Sequence, residues 1–165
     1  HHPLNNNNMD KISAQDLRVG NKLNDTHGRV LTVNEIKNNC VGCHYEGQQN
    51  TTIEGVRYSS FPYDDLRPIP LTPELLERGG FDGNPNTMTG ASLEIKDHER
   101  VFKSISIYYN NDTAENQYYL FMREGAKDEP RTNDGVVLFM RNLQYLHQLQ
   151  NVFFLITTIE LDVKM

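Results

Sequence analysis

An apolar stripe near the C-terminal end constrains the fold more than any other feature of this sequence. Its members recur at three- and four-residue steps and are Leu143, Leu146, Leu149, Phe153 and Ile156. This spacing places them on one face of an α-helix. Asn142 stands just before the stripe and suits the N-cap position. The pattern therefore predicts a helix over residues 143–157 whose apolar face is buried.

Short strand-like runs, broken by Gly and Asn, fill the N-terminal part of the chain. They cover residues 17–23, 30–36, 40–45 and 52–58, with a turn at 25–28 between the first two. Strands at this spacing predict a small barrel or a strongly bent sheet. A short helix should follow, because Thr72 suits the N-cap, Pro73 the first helical position and Gly79 a left-handed C-terminal residue. Together these elements predict a domain over residues 9–81.

The C-terminal half begins with a segment that reads as a linker, because residues 82–92 are rich in Gly, Asn and Thr. Strand patterns follow at 101–109, 117–123 and 136–141, and residues 159–165 alternate apolar and polar to the end of the chain. We expect these strands to form an antiparallel sheet packed on the C-terminal helix, with a last strand beside them. The predicted second domain covers residues 93–165, and the predicted fold class is α+β.

The start of the chain bears on its location. His1 to Asn8 read as the remnant of a tag and linker, so Met9 is expected to be the natural start. No run resembles a signal peptide, and nowhere do 18 apolar residues follow one another. We therefore expect a cytoplasmic protein without a membrane partner.

The formal charge of -6 disfavours binding to nucleic acid, because a diffuse basic field is the main source of affinity for phosphates. Arg57, Arg67 and Arg78 are too scattered to predict a local basic patch. A nucleic-acid-binding module remains an alternative if the N-terminal barrel presents its aromatic residues on one face. Those residues are Tyr45, Tyr58, Phe61 and Tyr63.

Cys40-Val41-Gly42-Cys43-His44 matches the pattern of covalent haem attachment. Cys40, Cys43 and His44 could also supply part of a zinc site, with His27 or His98 as a distant fourth ligand, or the cysteines could form a redox dithiol. The flanking residues, however, read as a strand, and the chain has no second Cys pair. The favoured interpretation is that these are ordinary strand residues and that no cofactor is bound.

No catalytic arrangement is evident. Adjacent acids such as Asp64-Asp65 point to opposite faces of a strand and do not make a dyad. Gly79-Gly80 follows the predicted short helix instead of opening one, so it is not a phosphate loop. Ser59-Ser60 lacks a spaced His and Asp. We therefore expect that the chain is not an enzyme.

The polar side of the C-terminal helix is the candidate binding site. Gln144, His147, Gln148 and Asn151 fall at positions i, i+3, i+4 and i+7, which brings three amides and an imidazole to one surface. These groups can hydrogen-bond a base, a nucleotide or the backbone of a partner. The alternative is a solvated surface, or one that hydrogen-bonds a neighbouring loop.

Three blocks resemble a family of small uncharacterised proteins from Bacteroidetes genomes, prophages and mobile elements. They are Asp16-Leu17-Arg18-Val19-Gly20-Asn21, the segment 68–76 with Gly80-Phe81, and Tyr145-Leu146-His147-Gln148-Leu149-Gln150-Asn151-Val152-Phe153-Phe154. The His-Gln-Leu-Gln-Asn run is the most specific part. This chain has Thr157-Thr158 where a Gly is expected to end the helix.

The resemblance implies an accessory protein of a phage or mobile element in a bacterial cytoplasm. The family has no established activity. The leading hypothesis is therefore a non-enzymatic protein that binds a partner protein or a small ligand such as a nucleotide, including a role against host defence. A homo-oligomer is compatible with this hypothesis. The alternatives are the nucleic-acid module and the metal or haem protein described above.

Overall fold

The computed structural model describes residues 11–48, 51–87, 90–96, 101–110, 117–126 and 136–165. The fold is α+β, as predicted. The chain divides into two compact units. The first unit takes the chain up to Pro70 together with Tyr145–Leu161 and Met165, and the second takes Leu71–Gln144 and Asp162–Lys164.

The first unit contains an antiparallel four-stranded sheet with the order β1-β2-β3-β6. Its strands are β1 (Lys22–Asn24), β2 (Val30–Ile36), β3 (Cys40–Tyr45) and β6 (Ser59–Pro62), while β4 (Thr51–Thr52) and β5 (Gly55–Val56) form a small hairpin of their own. The bounds of β2 and β3 agree with the predicted runs. The single strand predicted over 52–58 is instead this hairpin and the start of β6.

One face of the four-stranded sheet forms the core of the first unit. The buried cluster consists of Ile12, Leu23, Leu31, Val33, Val41, Cys43 and Leu66. The register brings Val33 opposite Cys43, and a β-bulge follows before Glu35 pairs with Gly42. A bulge bends its strand and increases the local twist.

The predicted turn at 25–28 is present and is held by the buried side chain of Asp25. Its carboxylate accepts hydrogen bonds from the backbone N–H groups of His27 and Arg29, from Nε of Arg29 and from the hydroxyl of Tyr45. Burial alone would raise the pKa of Asp25, but the bonds from Arg29, Tyr45 and His27 outweigh burial and lower that pKa to about 2. The turn is therefore fixed by a carboxylate that stays ionised.

The C-terminal helix, α2 (Leu146–Thr157), belongs to the first unit, whereas the sequence pattern assigned it to the second domain. It starts three residues later than predicted, because Leu143 is the last residue of a strand and Tyr145 is the N-cap. Leu146, Leu149 and Phe153 are buried, in agreement with the stripe.

The second unit contains an antiparallel five-stranded sheet with the order β11-β10-β9-β8-β7. Its strands are β7 (Asp82–Asn84), β8 (Gly90–Lys96), β9 (Val101–Asn110), β10 (Gln117–Ala126) and β11 (Val136–Leu143). The apolar face includes Ile105 and Ile107 of β9 with Leu120 and Met122 of β10, which pair across the two strands. Residues 127–135, between β10 and β11, lie outside the described residues.

The short helix α1 (Pro73–Arg78) also lies in the second unit, not with the N-terminal sheet as predicted. Its N-cap is Thr72, whose Oγ1 accepts a hydrogen bond from the Leu75 N–H at 3.2 Å. The C-cap Gly79 is right-handed, with φ -82°, and the left-handed residue is Gly80, with φ 92°. The predicted helix is therefore correct, and its left-handed end lies one residue later.

The predicted linker at 82–92 contains strands instead: Asp82–Asn84 of β7 pair antiparallel with the first residues of β8, while residues 88 and 89 lie outside the described residues. Gly83 has φ 111°, and a Cβ at this position would lie 2.5 Å from the Gly90 carbonyl oxygen. Gly, Asn and Thr serve tight hairpins as well as linkers, so composition alone misled the prediction.

The strand predicted at 159–165 does not form. Leu161 and Val163 are nevertheless buried, while Asp162 and Lys164 between and beyond them are exposed. The alternating pattern therefore reported burial at Leu161 and Val163 but not at Ile159 and Met165, which are exposed, and it did not report backbone pairing. Among the described residues, no helix has the length and apolar character needed to cross a bilayer.

Candidate functional site

The side chain of Gln150 on α2 hydrogen-bonds the backbone at the edge of β1 and just before it. Its side chain is 1% exposed. Oε1 accepts a hydrogen bond from the Lys22 N–H at 2.8 Å, and Nε2 donates to the Gly20 carbonyl at 3.3 Å. An edge strand otherwise exposes such N–H and C=O groups as a template for another chain. The amide of Gln150 therefore supplies an acceptor and a donor that a neighbouring strand would otherwise provide.

Sequence reasoning missed Gln150, although a signal was present. Gln150 follows Leu146 by four residues and precedes Phe153 by three, so helical spacing already places it inside the apolar stripe. A glutamine in a buried stripe must find partners for its amide, because an unpaired buried amide is costly. A glutamine at position 150, within the apolar stripe, was therefore the sequence signal for a polar contact in the core.

Asn151, which the sequence predicted as a binding residue, is also engaged internally. Its Oδ1 accepts from Nδ2 of Asn21 at 2.7 Å, and its Nδ2 donates to the Asp16 carbonyl at 2.9 Å. Asn21 is fully buried, and its Oδ1 accepts from the Arg18 N–H at 2.8 Å. Asn151 thus holds the loop that precedes β1.

The other predicted binding amides, Gln144 and Gln148, also belong to residues that make hydrogen bonds within the chain. Oε1 of Gln148 accepts from the Tyr145 N–H at 3.1 Å, which satisfies the first turn of α2. Gln144 precedes the helix and belongs to the second unit, where its carbonyl accepts from the Leu71 N–H at 2.9 Å. A ligand-binding role for these residues stays a prediction.

His147 is only 4% exposed, so it is not presented to solvent as the polar face predicted. Its ring stacks on that of Tyr145, with centroids 6.0 Å apart and planes inclined by 13°. Nδ1 is buried and has no hydrogen-bond partner among the described residues. Burial lowers the pKa of His147, and the nearby charge of Asp16 acts in the opposite direction. His147 is therefore a buried, neutral imidazole.

The three residues of the predicted haem or metal site do not converge. Cys40 and Cys43 are three positions apart on β3, so their side chains point to opposite faces. Cys43 lies in the core, where burial raises the pKa of its thiol to about 12. Nδ1 of His44 lies 2.7 Å from Oδ1 of Asn34. Within the described ranges, no cluster of three or more His, Cys, Asp or Glu side chains is placed to hold a metal.

The aromatic residues of the nucleic-acid alternative also separate. Tyr45, Phe61 and Tyr63 pack against the core cluster of the first unit. The ring of Tyr58 instead covers Gly42, where a Cβ would lie 2.5 Å from it, and its hydroxyl donates to Glu35. These four side chains therefore do not present a single stacking platform.

A different surface stands out at the end of α2. Four apolar side chains are exposed there: Val19 at 53%, Phe154 at 36%, Leu155 at 80% and Ile159 at 51%. We call these four residues the exposed apolar surface. The guanidinium carbon of Arg18 lies 4.3 Å from the centroid of the Phe154 ring, which places the loop with Val19 beside the helix.

Arg18, Gly20 and Glu160 border the exposed apolar surface, and we call these three residues its frame. Arg18 donates to the Val19 carbonyl at 3.1 Å and forms an ion pair with Glu160. Gly20 has φ 99°, a left-handed conformation that favours glycine. The frame thus joins the loop before β1 to the residues that follow α2.

Thr158 ends α2 in the left-handed conformation, with φ 59°. This conformation is an outlier for a β-branched residue. The Thr158 N–H donates to the Phe154 carbonyl at 2.8 Å, while Oγ1 of Thr157 donates to the Phe153 carbonyl and accepts from the Ile159 N–H. These bonds hold a strained residue between Leu155 and Ile159.

No family model, curated protein or solved structure matches this chain. The exposed apolar surface offers no paired acid and base and no activated nucleophile. What it offers chemically is burial of apolar area against another molecule.

Proposed function

We propose that this chain is a non-enzymatic accessory protein that binds a partner protein on its exposed apolar surface. The observation that carries the proposal is the exposure of four large apolar side chains around the last turn of α2. Single exposed apolar residues are normal, but several of them around one end of a helix are typical of an interaction site.

The frame of the surface supports the same proposal. Gln150 and Asn151 fix the loop that carries Val19, while the Arg18–Glu160 pair ties that loop to the segment after the helix. A surface that is ordered before binding loses less conformational entropy when a partner docks. The strained Thr158 adds to this argument, because strained residues cluster at functional sites.

A partner protein is favoured over a small ligand on the polar side of α2. Two of the four predicted residues, Gln148 and Asn151, use their amides within the first unit, and His147 is buried. The resemblance to proteins of Bacteroidetes prophages and mobile elements supports a partner in a bacterial cytoplasm. Inhibition of a host defence protein is the biological role that we propose.

The experiment is an affinity capture from host cells that carry the prophage or mobile element, using the full chain as bait. We compare Leu155→Glu with Ile53→Glu, because Ile53 is a fully exposed apolar residue outside the exposed apolar surface. Both variants add the same charge. We expect the partner to be lost with Leu155→Glu and retained with Ile53→Glu. Equal retention by both variants, or equal loss, would contradict the proposal.

A further inference from the structure

His147 lies on the side of α2 that meets the loop before β1. Gln150 and Asn151 follow it by three and four residues, so the three side chains share one side of the helix. The amides of Gln150 and Asn151 both donate to backbone carbonyls of that loop. His147 is buried on the same side, and the charge of Asp16 acts on its ring. Residues 16–21, which we call the covering loop, therefore lie over His147.

The buried imidazole of His147 is held without a hydrogen bond at Nδ1. No described residue bonds this atom. A neutral imidazole tolerates such a site, because one of its ring nitrogens carries no proton. A protonated imidazole has an N–H on both nitrogens and a full charge, and a buried charge needs a partner or water. Protonation of His147 therefore conflicts with the closed position of the covering loop.

The charged side chains on this side of α2 do not relieve that conflict. Oδ2 of Asp16 already accepts from the N–H and the hydroxyl of Ser13, at 3.2 and 2.9 Å. Arg18 and Lys22 are cations and form ion pairs with glutamates, so neither can neutralise an imidazolium. Helix α2 itself contains no second ionisable side chain. Burial lowers the pKa of His147 more than the Asp16 charge raises it, so the closed loop disfavours the proton.

We infer that protonation of His147 releases the covering loop from α2 while the strands of the first unit stay paired. The contacts that hold the loop to the helix come from side chains, so they can open without breaking a sheet ladder. The end of the loop is bound separately to β2. The Gly20 N–H donates to the Val33 carbonyl, and the Val33 N–H donates to the Asn21 carbonyl, both at 2.9 Å. Release thus exposes the imidazolium to water and leaves the sheet intact.

The release also alters the exposed apolar surface. Val19 belongs to the covering loop, and so does Arg18, whose guanidinium lies over the Phe154 ring. Opening in acid separates the loop from the helix, so a partner that contacts both is released. This consequence rests on the proposed function, whereas the release of the loop does not.

Two amides of β1 report the two parts of the inference. The Lys22 N–H donates to Oε1 of Gln150, so its protection from hydrogen exchange depends on contact with α2. The Asn24 N–H donates to the Arg67 carbonyl at 2.9 Å and reports the strand itself. Exchange of the full chain is followed by NMR at about pH 7.5 and about pH 5, on either side of the ordinary histidine pKa. Protection factors remove the intrinsic effect of pH on exchange.

The matched variants replace one histidine each. His147→Phe removes the group that we infer to act, and His44→Phe removes another histidine whose pKa is lowered, first by burial. We expect the protection factor of the Lys22 N–H to fall by about tenfold at the lower pH and that of the Asn24 N–H to stay unchanged. The fall should disappear in His147→Phe and persist in His44→Phe.

Three results would overturn the inference: no fall at Lys22, an equal fall at Asn24, or a fall that His147→Phe retains. An NMR titration of the His147 ring gives a second measurement that needs no variant. A ring that takes up its proton while the Lys22 N–H stays protected would also overturn the inference. The affinity capture with Leu155→Glu, carried out at about pH 7.5 where His147 is neutral, decides separately whether the proposed function fails.

Discussion

The first turns of α2 bury polar side chains, whereas its last turn exposes an apolar one. His147 and Gln150 are polar and buried, whereas Leu155 is apolar and largely exposed. The buried amide is explained by the β1 edge that it satisfies. Folding gives no comparable reason for the exposed leucine. Buried polar residues of this helix thus stabilise the first unit. The exposed apolar residues at its end are the ones that we propose to bind a partner.

The largest expected effect comes from removing the buried amide. Gln150→Leu leaves the Lys22 N–H and the Gly20 carbonyl without their partner, which should destabilise the first unit by about 3 kcal/mol. Native-state hydrogen exchange measures the free energy of opening of this unit. Gln148→Leu is the control, because the bond that its Oε1 accepts from the Tyr145 N–H lies at the half-exposed N-terminus of α2. Equal losses of stability for both variants would contradict the proposal that the Gln150 bonds contribute more to the first unit than the Gln148 bond.

The next effect depends on pH. Because burial lowers the pKa of His147 in the folded chain, the unfolded chain binds the proton more readily as the pH falls below about 6.5. Stability should therefore decrease as the pH falls through 6.5, and should level off below the folded-state pKa.

His147→Phe isolates this contribution by removing the titrating group while retaining a ring beside Tyr145. The pKa of His44 is also lowered, first by burial and then by the charge of Lys22, and its contribution has the same sign. His44 is present in both proteins, so the difference between their pH profiles measured by urea unfolding reports His147. Parallel profiles between pH 7.5 and 5 would show that His147 is not buried as described.

A smaller effect distinguishes two neighbouring threonines at the end of α2. Thr158→Gly should stabilise the first unit by about 1 kcal/mol, because glycine adopts the left-handed conformation without the penalty paid by a β-branched residue. Thr157→Gly should destabilise it by about 1 kcal/mol, because it removes the hydroxyl bonded to Phe153 and Ile159 and places glycine in a helix. Hydrogen exchange gives both signs, and equal signs would refute the assignment of the helix end.

The smallest expected change in stability belongs to the exposed end of the helix. Leu155→Ser should alter the free energy of unfolding by no more than about 0.5 kcal/mol, since the side chain is mostly solvent-exposed. Its effect should instead appear in binding. A loss of more than about 2 kcal/mol in urea unfolding would mean that Leu155 is part of the core.

Much of the local structure could be predicted from the sequence, because local patterns report burial. The alternation in β2 and β3 and the stripe of α2 identified these elements and most of their buried residues. The same patterns do not report which sheet a helix joins. The long-range contacts that join α2 to the first unit, such as those of Gln150 with Lys22 and Gly20, are not encoded in any local period.

The candidate site was harder to predict for the same reason. Gln148 and Asn151 carry groups suited to binding, but the loop before β1 and the first turn of α2 already use them. Helical spacing placed Leu155 outside the stripe, yet a single exposed leucine is common. Only the fold brings Arg18, and with it the loop that contains Val19, beside Phe154.

The contrast within α2 is tested most directly by solvent paramagnetic relaxation in the free, isotopically labelled protein. A soluble paramagnetic agent relaxes nuclei according to their access to solvent. We expect strong relaxation of the methyl groups of Leu155, Ile159 and Val19, and weak relaxation of the side-chain amide of Gln150. Strong relaxation of the Gln150 amide, or Leu155 methyl groups as protected as those of Leu149, would contradict it.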